Sequence, residues 1–199
     1  MTIDPWRITG QAEIDSYVGS RVELAVLLAN CLTATSAHGR HVAPPRSGDE
    51  RLAAITAQSA AGRSPGTLTA ADADQLAGIA ADLRPAFGAG ERILEVAAQL
   101  NHLLVRHGAV PNLHGDSDRP LVLAFHRADS SLVDAWAADM GTALAMVIGV
   151  GQAARLGACQ ADRCCLVFFD TTRNASRRFC DLSCQNRAKA TAYRARRRA

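Results

Sequence analysis

Hydrophobic positions recur at helical spacing through most of the first three quarters of the chain. Between 20 and 32, Val22, Leu24, Ala25, Val26, Leu27, Leu28 and Leu32 form an apolar run long enough to predict a buried helix rather than a strand. Residues 38–66 interrupt the pattern, because Pro44-Pro45, Gly48, Gly62 and Ser64-Pro65-Gly66 mark a connection that holds one short helix over 49–60. Thr69 followed by Asp72 has the form of a capping box with Asp in place of Glu, and Leu76, Ile79, Ala80 and Leu83 then recur at helical spacing. That helix should stop near Arg84, since the ring of Pro85 disfavours helical backbone before it. A second helix from Gly90 carries Ile93, Leu94, Ala97, Leu100 and Leu104 on one face and ends at a Gly108 cap. The two are expected to pack as a pair.

After Gly108 the period shortens. Residues 110–114 and 121–126 are extended runs around the turn-rich stretch Gly115-Asp116-Ser117-Asp118-Arg119-Pro120, which predicts a β-hairpin. Asp129 or Ser130 can cap a long helix through Leu132, Val133, Trp136, Met140, Leu144, Val147 and Ile148. Further on, 166–169 reads as a strand, 171–175 as a turn, 177–179 as a returning strand, and 183 onward as a helix. The expected fold is mainly α (α+β). It has a helical N-terminal domain with a small β-hairpin over 1–154, and a small C-terminal module over 155–199.

Charge divides at the same place. Residues 1–154 hold 11 Arg against 16 acidic residues, whereas 155–199 hold 11 basic residues against 3 Asp, so the net +3 conceals −5 and +8. Only the C-terminal piece suits a polyanion. A hydrophobic fraction of 48% supports a true core and excludes a wholly disordered chain. The first 20 residues lack a basic start followed by an apolar run, which argues against a cleavable signal peptide. The longest stretch without charge or histidine, 140–154, is 15 residues and too short to cross a bilayer as a helix. A cytoplasmic protein without a membrane partner is expected, and 21 Arg against one Lys points to a GC-rich bacterial genome.

In a reducing compartment, clustered cysteines are better explained by metal than by disulfides. Five of the six cysteines fall between Cys159 and Cys184, and four of them form the pattern Cys159-x4-Cys164-x15-Cys180-x3-Cys184. Two close pairs separated by a hairpin-length segment deliver the four tetrahedral ligands that structural Zn²⁺ takes. Four thiolates leave no open position for water or substrate, so one structural zinc is expected and a zinc hydrolase is not. Cys165 could replace Cys164, and Cys164 is favoured. The isolated Cys31 reads as a small buried residue. His102 and His107 fall on different helical faces, and His38 and His41 lie in a loop, so all four read as surface or partly buried polar residues. No Gly-rich phosphate loop, nucleophile elbow or zinc-protease helix is present, and an enzyme is not expected. Asn30, His102, His126 and Trp136 could line a small-molecule pocket, although packing or exposure also accounts for each.

Around the cysteines the chain reads Phe168-Phe169-Asp170, Thr172-Arg173-Asn174, Ser176-Arg177-Arg178-Phe179-Cys180 and Cys184-Gln185-Asn186-Arg187-Ala188-Lys189. This resembles the bacterial CGNR zinc finger over about a quarter of the chain, with Gln185 where the signature has glycine. The segment Leu27-Leu28-Ala29-Asn30-Cys31-Leu32 is similar to the early motif of the ABATE domain that usually precedes that finger. Strand, turn, strand and then a helix with the second cysteine pair at its start is the layout of a treble-clef-like finger, and the resemblance implies a stress-induced transcription regulator with a sensory or dimerising N-terminal domain and a DNA-binding finger.

The residues expected to contact nucleic acid are Arg173, Arg177, Arg178, Arg187, Lys189, Arg194, Arg196, Arg197 and Arg198. They would neutralise phosphates and release counterions, giving salt-dependent DNA binding. Asn186 and Arg187 are equally suited to bonding the zinc loops, and Arg196, Arg197 and Arg198 to a solvated tail. The competing reading is a protein-interaction module without sequence-specific DNA binding. An RNA partner, a small-molecule effector and a homodimer are all compatible with the sequence.

Overall fold

The computed structural model describes residues 5–59 and 68–197, with the side chains of 5–16, 59 and 119 outside that description. Arg198 and the turn signals at Gly62 and Ser64-Pro65-Gly66 therefore lie outside the described residues. The apolar run at 20–32 belongs to α1 (Pro5–Thr33), which buries Val22, Ala25, Leu28, Ala29 and Leu32 along one stripe. Two short strands follow, β1 (Ser36–Ala37) and β2 (Arg40–His41), paired antiparallel where the sequence suggested only a connection. His38 and Gly39 form their turn with φ of 52° and 86°. Positive φ at both central residues is the backbone of a two-residue hairpin, and the glycine was its sequence signal.

Helix α2 (Gly48–Ser59) contributes Ile55 to the core. Helix α3 (Ala70–Leu83) starts as expected: the Thr69 hydroxyl accepts from the Asp72 N–H at 3.2 Å, while the Asp72 carboxylate accepts from the Thr69 N–H at 2.9 Å. It tightens into a 3₁₀ turn over Arg84–Ala86 at Pro85, as the proline required. Helix α4 (Ile93–Arg106) rolls slightly from the expected face. Val96, Leu100 and Leu103 are buried, and Leu94 is 83% exposed. It packs mainly on α5, whereas α3 packs mainly on α1 and α2, so the expected α3–α4 pair is a minor contact. Strands β3 (Asn112–Asp116) and β4 (Arg119–Ala124) form the expected antiparallel hairpin, with a register shift between His114 and Asp116.

Helix α5 (Leu132–Gly149) is capped by Ser131, one residue beyond the expected caps, because its hydroxyl accepts from the Asp134 N–H at 3.0 Å. It is long and apolar enough to cross a membrane, but most of it is buried inside the protein. Its buried Asp139 accepts from the Phe125 N–H at 2.9 Å, lies 3.0 Å from His126 Nδ1, and pairs with Arg21 of α1 at 3.2 Å. One carboxylate thus ties the hairpin, α5 and α1 together. The arrangement is mainly α, with three two-stranded antiparallel pairs among the described residues.

The third pair is β5 (Leu156–Ala158) with β6 (Val167–Phe169), which corrects the expected hairpin. The 177–179 segment is not a strand, and its partner role belongs to residues before the first cysteine. Gly157 faces Phe168, where a Cβ would meet the phenyl ring at 2.4 Å, so a side chain there would displace the ring. Leu156 and Val167 are buried in the same core as α1, α3 and α5. Helix α6 (Leu182–Arg196) closes the described chain.

Candidate metal centre

Each pair of cysteines is delivered by a different local device. Cys159 leaves β5 and Cys164 precedes β6, so both sit in the loop of one hairpin, and the Cys159 N–H donates to Leu166 O at 2.8 Å to close that loop. Cys180 precedes α6 and Cys184 lies in its first turn. Asp181 caps that helix by accepting from the Cys184 N–H at 2.8 Å. The four Sγ atoms lie within 4.8 Å of one another, and Cys164 and Cys180 are 3.8 Å apart. A tetrahedron of sulfurs about 2.3 Å from a central Zn²⁺ has edges of about 3.8 Å. Donor type, number and spacing fit one structural zinc ion.

Cys164 and Cys184 are buried, and Cys159 and Cys180 are half-buried. Burial pushes the Cys184 thiol up to about 11 against a hydrogen bond with Cys180 that lowers it, and burial followed by hydrogen bonding and charge from neighbouring thiols pushes Cys180 up as well. Burial also works against ionisation of Cys164, but hydrogen bonds from the backbone amides of Leu166 and His38 and from the Cys159 and Cys184 thiols together hold it below its ordinary value. Thiols packed this closely resist ionising together unless a cation offsets the charge, and Zn²⁺ supplies that offset.

The choice between Cys164 and Cys165 is settled by which way the side chains turn. Cys165 Sγ points to α1's end, where it accepts from the Thr35 and Ser36 N–H groups at 3.4 Å each and donates to Ser36 O at 3.2 Å. Burial alone would raise its pKa, but those Ser36 and Thr35 bonds pull the thiol down to about 7. Cys165 is thus a tie between finger and helical part.

Other ties surround it. Asn30, on α1, pairs with β6 like a short strand: its amide donates to Val167 O at 2.9 Å, and its carbonyl accepts from the Val167 N–H at 2.8 Å. Arg84 donates to Thr33 Oγ1 at 2.8 Å and to the Cys165 carbonyl. Gly88 N–H donates to Leu156 O at 2.7 Å, and Gly39 N–H to Arg163 O at 3.0 Å. Inside the finger, the fully buried Asp170 accepts from the Thr172 N–H at 2.8 Å, the Thr172 hydroxyl at 2.6 Å and the Arg177 N–H at 2.7 Å. Burial opposes its charge, yet these bonds hold its carboxyl below the usual range. The partner of Asn30 lies 137 residues away and left no local signal, whereas Asp170 takes its donors from two and seven residues on, an Asp-x-Thr turn that the sequence does carry.

The expected nucleic-acid residues separate into two groups. Arg187 donates to the Asp162 carbonyl and to Cys184 Sγ at 3.6 Å, and Arg177 to the Phe179 carbonyl at 2.9 Å and the Cys180 carbonyl. Both guanidinium groups brace the zinc loops, and Arg177 also lies 4.5 Å above the Phe168 ring. Arg178 donates to Gln160 Oε1 at 2.7 Å. Arg173, Lys189, Arg194, Arg196 and Arg197 are exposed, and among the described residues none pairs with a carboxylate. Of the candidate pocket residues, Asn30 is engaged with Val167, His126 with Asp139, Trp136 packs on the core and His102 is exposed. No curated protein matches the chain. Residues 155–197, which carry this cluster from β5 to the end of α6, match the family model described as the CGNR zinc finger.

Proposed function

We propose that this protein is a zinc-dependent DNA-binding transcription regulator, in which zinc builds the surface and α6 presents it. The carrying observation is the cationic end of α6, where Lys189, Arg194, Arg196 and Arg197 stand exposed and, among the described residues, pair with no carboxylate, on a helix whose first turn holds a ligand. Arg173 extends that charge onto the loop before Cys180. Such groups position a protein on phosphates by counterion release. Arg177 and Arg187 act indirectly, by holding the loops that aim the helix. The helical part over 1–154 is read as an ABATE-like sensory or dimerising domain.

The test uses the full chain, because an isolated 155–199 fragment would expose Leu156 and Val167. Zinc-loaded protein should bind a short duplex with a log–log salt slope near −0.9 per neutralised phosphate. Replacing Arg194, Arg196 and Arg197 together by Ala should reduce that slope by roughly three phosphate equivalents. Zinc-loaded protein that binds no duplex at low salt would defeat the reading and leave a protein-interaction module in its place.

A further inference from the structure

His38 belongs to the helical part, yet it lies against the metal centre. Its Nδ1 is 3.2 Å from Asp181 Oδ2, 3.4 Å from Ser183 Oγ and 3.7 Å from Cys184 Sγ. Nδ1, the Asp181 carboxylate and the Cys180 and Cys184 sulfurs all fall within 4.8 Å of one another. The turn that carries it is clamped on both sides. Gly39 donates to Arg163 O in the first cysteine loop, and a Cβ on Gly39 would meet the Arg187 guanidinium at 2.7 Å.

Four thiolates on one Zn²⁺ leave the site with two negative charges, and such a site is steadied by N–H donors aimed at its sulfurs. Arg187 is one such donor from within the finger. Tetrahedral zinc with four sulfurs has no place for a fifth ligand, so a neighbouring imidazole acts through hydrogen bonds instead.

We propose that His38 is a positioning residue of the zinc centre: the β1–β2 turn of the helical part lends the finger an outer-sphere donor that holds Cys184 and its Asp181 cap in place. The N–H at Nδ1 is shared between the Asp181 carboxylate and the Cys184 sulfur. Zinc affinity therefore depends on a residue nearly 150 positions from its neighbouring ligand, and the fold of the helical part reaches the metal directly. This inference rests on the four-cysteine site and is independent of DNA binding.

His38 has positive φ, so its test needs replacements that accept that backbone. His38→Gly removes the side chain at no backbone cost, and His38→Asn restores an N–H near the position of Nδ1. In full-length protein, competition for zinc with a chromophoric chelator should show His38→Gly weakened by about 10- to 100-fold and His38→Asn close to the parent. The visible bands of the Co²⁺-loaded forms should be unchanged, since the sulfur ligands remain. Equal affinity of His38→Gly and parent, or equal loss in both variants, would overturn the proposal. A band shift confined to His38→Gly would overturn it too, by making His38 a ligand. Helical circular dichroism of each variant separates these results from general unfolding.

Discussion

In the helical part, Leu28, Leu76, Leu83, Leu103, Met140 and Leu144 are all fully buried and touch one continuous core. In the finger, the corresponding buried cluster is Ala161, Cys164 and Cys184, with Phe179 and Leu166 at its margin. One region is held by apolar area removed from water, the other by a metal and by polar ties to loop carbonyls. The seam between them joins both kinds of support. Leu156 and Val167 extend the helical core into the finger's hairpin, while Asn30, His38 and Arg84 extend polar ties from the helical part to the cysteine loops. A small module can thus borrow core from its neighbour and still need metal for the remainder.

Zinc removal tests this contrast with the largest effect. Structural zinc contributes an apparent ~10–16 kcal/mol in finger peptides, so chelation should release residues 159–197 to rapid amide exchange. The contacts of α1, α3 and α5 should stay protected, and protection of the finger without metal would break the comparison. Truncation of the other core is the converse. Leu28→Ala should cost about 2–5 kcal/mol in denaturant unfolding while the folded protein still binds one zinc per chain.

Asp170→Asn keeps the shape of the finger's buried hub but removes its charge, at a cost of about 1.5–3 kcal/mol. Because the folded carboxyl is held below its ordinary value, its stabilisation is complete above the usual aspartate range and is lost as pH falls through the folded value. The gap between parent and variant in unfolding free energy should therefore close in acid. On the seam, Asn30→Ala strands both polar groups of Val167 and should cost about 1–3 kcal/mol, together with faster zinc loss to chelator. The smallest effect belongs to Thr69→Ala, about 1 kcal/mol of thermal or denaturant stability with zinc release unchanged, since its cap touches only α3.

Local chemistry made much of this legible. The Thr69–Asp72 box, the stop at Pro85, the β3–β4 hairpin and the four cysteines all act through neighbours in sequence, and residue type with spacing was enough to read them. A returning strand at 177–179 is suggested by the turn-forming stretch 171–175 that follows 166–169, whereas β6 pairs instead with 156–158 across the cysteine loop. Leu94 was misplaced because a face drawn from hydrophobicity alone cannot show which helix lies opposite.

The sequence by itself determined that four thiolates would gather around one metal beside a cationic helix, since ligand type, spacing and charge are properties of the chain. Only the tertiary structure decided that Cys165 faces Ser36, that Arg187 braces a carbonyl, that Asn30 pairs with Val167, and that His38 stands beside Cys184. These are contacts of directed polar groups across 25 to 146 residues, and no local pattern encodes where a distant partner will be.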